Sequence, residues 1–120
     1  MAIIIFQTTK EFEKDLKLLT KKYRSLPSDL VVLKKVLSLH PFAQPTFSFL
    51  LHKSTSQIQF IKVKKIACRS IPGKGVQTGL RLIYAWQPQK NEIFLLEFYH
   101  KNQQTHETMK RITKHLRDGP

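Results

Sequence analysis

The stretch from Gly79 to Asn102, GLRLIYAWQPQKNEIFLLEFYHKN, constrains the fold more than any other part of the chain. Two long apolar runs rich in Ile, Leu, Tyr, Phe and Trp suit a pleated, half-buried surface, and Gln87-Pro88-Gln89-Lys90-Asn91 between them has turn chemistry. A β-hairpin is expected. Arg81 lies near the start of its first strand and His100-Lys101 near the end of its second, and the two ends of an antiparallel pair are spatial neighbours. A guanidinium, an imidazole and an ammonium are therefore expected together.

The rest of the chain supplies what such a hairpin needs around it. Ala2 to Gln7 reads as a short first strand, and Thr8-x-x-Glu11 has the form of a capping box opening a helix. Phe12, Leu16, Leu19 and Tyr23 then fall at helical spacing among Lys and Glu, and the helix ends before Leu26-Pro27. Ser28-Asp29 can cap a second helix with Leu30, Leu33, Val36 and Leu37 as its apolar stripe and Leu39-His40-Pro41 as its stop. The short link favours an antiparallel helical hairpin, which has to bury its stripe on one face of the sheet.

Pro41 to Gln57 reads as an irregular connection because of Pro41 and Pro45, although Phe47 to Leu51 is too apolar for a solvated loop and leaves a short strand or a partner-facing patch as alternatives. In Ile58 to Cys68, IQFIKVKKIAC, period-2 alternation sets Lys62 and Lys64 on one face with Phe60 and Ile66, and Ile61, Val63 and Ala67 on the other. Arg69 to Thr78 is a basic Gly/Pro loop. Thr105 to Leu116 carries a narrow stripe of Met109, Ile112 and Leu116 among basic residues and reads as a C-terminal helix ended by Asp118-Gly119-Pro120. The expectation is a small single α+β domain spanning residues 1–120, mostly antiparallel, with element order β-α-α-β-β-β-α.

The chain carries 21 Lys and Arg against 8 Asp and Glu, a formal charge of +13, which calls for a polyanionic or acidic partner. Cys68 has no second cysteine to pair with and fits a reducing compartment. Ala2 to Phe6 lacks a preceding basic region and is too short for a signal peptide or a membrane span, so a cytoplasmic protein without a membrane partner is expected. His40, His52, His100, His106 and His115 fall on different elements without ligand spacing, and no metal or cofactor is expected. Pro72-Gly73-Lys74-Gly75 lacks phosphate-loop spacing.

Lys62, Lys64, Arg81, His100 and Lys101 are the candidate catalytic residues, because they lie on or at the ends of strands that should be sheet neighbours. Their chemistry suits phosphate. RNA cleavage by attack of a 2′-hydroxyl needs a base, an acid for the departing 5′-oxygen, and cations for the charge on the phosphoryl oxygens. His serves as acid or base near neutral pH, and Arg and Lys stabilise the transition state.

At these residues the chain resembles the RelE/ParE superfamily of toxins of type II toxin–antitoxin systems. The matching pieces are the basic helical hairpin FEKDLKLLTKKYRSLPSDL, the strand IKVKK, the strand Gly79-Leu80-Arg81-Leu82-Ile83-Tyr84, and Phe98-Tyr99-His100-Lys101-Asn102 followed by a helix. The resemblance implies a metal-independent mRNA endoribonuclease, ribosome-dependent or free, held inactive by an acidic antitoxin. Lys62 and Lys64 match the family's strand lysines, Arg81 its phosphate-contacting arginine, and Lys101 the basic position ending the last strand. Arg69, Lys74, Lys65, Lys110 and Arg111 become candidate RNA contacts. The chain has Thr108 near the place of a helix tyrosine of the RelE branch and Asn102 in place of a second basic residue, which leaves His100 as the preferred acid or base and Glu97 as second choice. A ParE-like gyrase inhibitor and a non-catalytic nucleic-acid or antitoxin-binding module remain the alternatives.

Overall fold

The computed structural model describes residues 3–118. The elements are β1 (Ile5–Thr8), α1 (Lys10–Lys22), α2 (Leu26–Leu39), β2 (Ser48–Leu50), β3 (Gln59–Val63), β4 (Leu80–Gln87), β5 (Glu92–His100) and α3 (Met109–Asp118). Five strands form one sheet in the order β1-β5-β4-β3-β2. β1 pairs parallel with β5, and every other pair is antiparallel. The α+β architecture agrees with the expectation. The expected start of the first strand, Ala2, and the terminal Gly119-Pro120 lie outside the described residues.

Central to the sheet is the β4–β5 hairpin, closed by a 3₁₀ turn at Pro88–Lys90 and by Asn91 in the left-handed conformation at φ 48°. A short polar side chain suits that position. The ladder carries one irregularity. Ile83 pairs with Glu97 and Tyr84 with Leu95, so Leu96 of β5 faces no partner and forms a β-bulge.

On one face lie α1 and α2. Phe12, Leu19, Tyr23, Leu26, Leu30, Leu33 and Leu37 meet Leu82, Tyr84, Leu95 and Phe98 in the main core. Phe12 stacks on Phe98 with ring centroids 5.9 Å apart. The other face is thinner: Phe60, Ile83, Ala85, Phe94, Leu96 and Tyr99 are covered mainly by Ile112 of α3.

Several boundaries differ from the expected ones. Thr8 still pairs with Leu95 in the ladder, so the N-cap of α1 is Thr9, whose hydroxyl accepts from the Phe12 N–H at 3.1 Å, and the expected Thr8–Glu11 capping box does not form. α2 begins at Leu26 behind Ser25, with Pro27 in its first turn, where a missing N–H costs nothing. Asp29 thus lies inside the helix; its carboxylate accepts from the Ser25 hydroxyl and from Arg69. Within the expected loop 41–57, Ser48–Leu50 forms the edge strand β2 against β3, so the order gains one strand. β3 ends at Val63; the alternation lapses there, and Ile66 turns into the hairpin-side core rather than joining Lys62. In α3 the buried pair is Ile112 and His115, while Met109 and Leu116 are exposed.

Candidate nucleic-acid interface

The outer face of the sheet, the one under α3, gathers the charged groups. On β4, Leu82 and Tyr84 belong to the hairpin-side core, so Arg81 and Ile83 point outward, and Arg81 pairs across the ladder with Tyr99. Lys62 pairs with Ile83 and shares that face, and Phe49 of β2 lies opposite Lys62. Lys64 follows two residues on. Its ammonium sits 5.1 Å from the Phe49 ring centroid.

Arg81 reaches the open edge of this face. Its Nη1 donates to the backbone carbonyls of Lys64 and Leu80, each at 3.1 Å. Among the described residues no carboxylate pairs with it. A guanidinium fixed by carbonyls, with no counter-charge, is prepared for an anion from solution.

Lys62 is the opposite case. Its ammonium donates to Glu107 Oε1 at 2.9 Å, with only 12% and 17% of the two side chains exposed. Burial opposes the Lys62 charge, but the interactions with Glu107 and Tyr99 prevail and raise its pKa. Burial likewise works against the Glu107 carboxylate, and Lys62 overcomes it, holding the pKa below the ordinary value. The Tyr99 hydroxyl is buried without a hydrogen-bond partner among the described residues. Burial pushes this phenol up against the pull of Lys62.

The connection from β5 to α3 is strapped over this site by Glu97. Thr108 donates to it through its backbone N–H and its hydroxyl, both at 2.7 Å, and Gln104 Nε2 donates at 2.6 Å. Glu97 is thus a buried anchor with its acceptors engaged, and the structure does not place it free in the groove as the second-choice base. Beyond the end of β1 the edge of β5 is closed by side chains. Asp15 accepts from the Phe98 N–H at 3.0 Å, and Arg111 donates to Leu96 O at 3.0 Å while gripping Asp15 through both terminal nitrogens.

The structure separates the other expected site residues. His100 pairs with Leu80 and lies on the hairpin side, stacked on Tyr23 with centroids 6.3 Å apart. Its Nε2 is 2.9 Å from Thr78 O, and Nδ1 accepts from the Asn102 N–H at 3.1 Å. Both ring nitrogens are occupied by backbone, so His100 is not brought together with Lys62, Lys64 and Arg81. The cause is the bulge at Leu96. Strict alternation from Leu95 would send His100 to the outer face; the extra residue reverses it and presents Tyr99 there instead. Lys101 is exposed in the turn after β5, its N–H on Gly79 O at 2.9 Å.

Of the expected RNA contacts, Arg111 is a structural clamp, its pKa raised by the Asp15 carboxylate. Arg69 pairs with Asp29 on the α2 side, and Lys65 Nζ donates to Thr46 Oγ1 at 2.7 Å. Lys74 and Lys110 are exposed on the long loop and on α3. Neither Glu107 nor Tyr99 was singled out from the sequence as a site residue. The available signal was Glu97 interrupting an apolar strand, since a buried carboxylate there requires donors from another segment.

Among the described residues no group of three or more His, Cys, Asp and Glu is placed to hold a metal ion, and no helix is long and apolar enough to cross a membrane.

The architecture is a RelE-like fold. A chain of the archaeal RelE–RelB complex from Pyrococcus horikoshii OT3 is similar over 85% of this chain and 99% of its own, with TM-score 0.58 and 15% identity. A metal-bound toxin from Helicobacter pylori is similar over 85% and 99%, with TM-score 0.55 and 24% identity. A conserved hypothetical protein from Helicobacter pylori, solved in solution, covers 84% and 98% with TM-score 0.52 and 24% identity. At these identities the likeness is one of fold. No family model and no curated protein matches the sequence.

Proposed function

We propose that the protein is the toxin of a toxin–antitoxin pair and cleaves mRNA at the ribosome. The observation that carries this reading is Arg81: a guanidinium held by two carbonyls, free of any carboxylate among the described residues, beside Lys64 on a sheet face of the RelE-like fold. In this reading Arg81 and Lys64 bind the non-bridging oxygens of the scissile phosphate. The 2′-hydroxyl gives up its proton to water as its oxygen attacks phosphorus, and the bond to the 5′-oxygen breaks as that oxygen takes a proton back from water, leaving a 2′,3′-cyclic phosphate and a 5′-hydroxyl. Cations fixed before the reaction stabilise the charge that gathers on the phosphoryl oxygens without reorganising at that moment. His100 holds the end of β5 to the loop carbonyl of Thr78, and Lys101 with the exposed Lys74 and Lys110 steers the strand electrostatically. The net charge of +13 calls for an acidic antitoxin to neutralise it at rest.

The test is incubation of the purified protein with ribosomes programmed with a defined mRNA. The wild type is expected to release fragments ending in 2′,3′-cyclic phosphate, and Arg81→Ala to lose at least about 100-fold in rate, the order seen when a single preorganised donor is removed. Intact mRNA with folded wild-type protein would contradict the proposal.

A further inference from the structure

Glu107 is out of character for its surroundings. In a chain with 8 acidic residues, one of them reaches from the β5–α3 connection to the outer sheet face and closes over Lys62 at 2.9 Å. Directly beside the pair is the Tyr99 hydroxyl, 4% of whose residue is exposed and which has no hydrogen-bond partner among the described residues. The Lys62 ammonium lies 5.9 Å from the Tyr99 ring centroid. A buried phenol that donates to nothing is costly unless another state of the protein supplies an acceptor. The Glu107 carboxylate gives Lys62 the negative charge that a phosphate oxygen would bring and leaves the Tyr99 hydroxyl unused as a donor.

We propose that Lys62 and Tyr99 form a phosphate subsite that Glu107 fills in the free protein, so that RNA binds fully only when the strap of residues 104–108 moves aside. The proposal rests on the RNA reading above and adds to it a built-in competitor for the substrate. Displacing Glu107 exchanges one ion pair for another, Lys62 with carboxylate for Lys62 with phosphate, and gives the Tyr99 O–H an acceptor it lacks at rest. The strap is suited to moving. Residues 101–108 have no regular structure, and they are tied down chiefly by polar groups, Thr108 and Gln104 on Glu97 and Glu107 on Lys62. The site it uncovers is continuous with Arg81, which pairs with Tyr99 across the ladder.

The experiment measures binding of a single-stranded, 2′-O-methylated RNA oligonucleotide as a function of KCl. Glu107→Gln keeps the side-chain shape and releases Lys62. It is expected to bind more tightly, with log affinity against log salt steeper by about 0.7, one further phosphate neutralised on a single strand. Glu13→Gln on α1 makes the same charge change elsewhere and is expected to leave that slope alone. Adding Lys62→Met to Glu107→Gln is expected to cancel the gain, and adding Tyr99→Phe to remove part of it.

A wild-type slope in Glu107→Gln would overturn the proposal, as would a gain that survives Lys62→Met or one that Tyr99→Phe leaves intact. Hydrogen exchange of the wild type provides a measurement independent of any variant's folding. RNA is expected to speed exchange of the Thr108 amide, now bonded to Glu97, and unchanged or slower exchange on saturation would also overturn the proposal. If neither wild type nor Glu107→Gln binds RNA, the RNA reading itself falls; if both bind equally, only the subsite does.

Discussion

The two faces of the sheet are built on different principles. The face covered by α1 and α2 is a broad apolar interface in which Phe12, Leu26 and Leu37 are fully or almost fully buried. The outer face keeps a smaller apolar patch under Ile112 and gives the rest of its area to Lys62, Arg81, Tyr99, Glu97 and Glu107. One side supplies the stability that lets the other carry charges with uneven partners. The bulge at Leu96 joins the two, since it decides which β5 side chains serve which face.

The largest break in this comparison is expected from Phe12→Ala. It removes a stacked aromatic ring from the dense core and should cost about 3–5 kcal/mol in urea unfolding. Ile112→Ala, in the thinner outer cluster, should cost about 2 kcal/mol, the low end for such a truncation, and leave the main unfolding transition in place. An equal cost from both would mean that the faces share the stabilising load.

Gly79→Ala tests the junction of the faces. Gly79 has φ +86°, and a Cβ there would lie 2.7 Å from His100 Nε2 and 2.9 Å from its Cε1. The substitution should cost about 2 kcal/mol by backbone strain and displacement of the ring from Thr78, read as a lowered unfolding midpoint. Wild-type stability would mean that His100 is held less firmly than its two hydrogen bonds indicate.

The smallest expected effects come from pH. His115 is buried between Phe60 and Phe94 with an Nε2 that has no partner among the described residues, and burial lowers its pKa. A depressed folded-state pKa means that the unfolded chain binds the proton more readily. The contribution of His115 is therefore complete above about pH 6.5 and declines as pH falls below it. His115→Phe should flatten the stability profile in that window. Glu107, with a lowered pKa, contributes above about pH 4.3, and its hold on Lys62 is lost as pH falls further; Glu107→Gln should remove that more acidic limb.

Much of the architecture was legible in the sequence. The β4–β5 hairpin declared itself through two apolar runs and Gln87–Asn91, and the helical hairpin through the spacing of Phe12, Leu19, Leu30 and Leu37. β2 did not, because three residues between Pro45 and a polar run are too short to show a period. Lys62 was placed on its face because alternation holds along β3, and Arg81 was grouped with it because the two lie on neighbouring strands. It fails along β5, where one unpaired residue, which no composition reveals, exchanges His100 for Tyr99. Glu107 was illegible for another reason: its partner is 45 positions away, and only the docking of α3 brings them together.

The central claim is that RNA is handled on the outer face and not at His100. The most direct test maps new 5′ ends on cellular mRNA by primer extension after induction of wild type, Arg81→Ala and His100→Gln at matched levels of folded protein. The account predicts codon-positioned ends with the wild type and with His100→Gln, and none with Arg81→Ala. Ends that persist in Arg81→Ala but vanish in His100→Gln would contradict it.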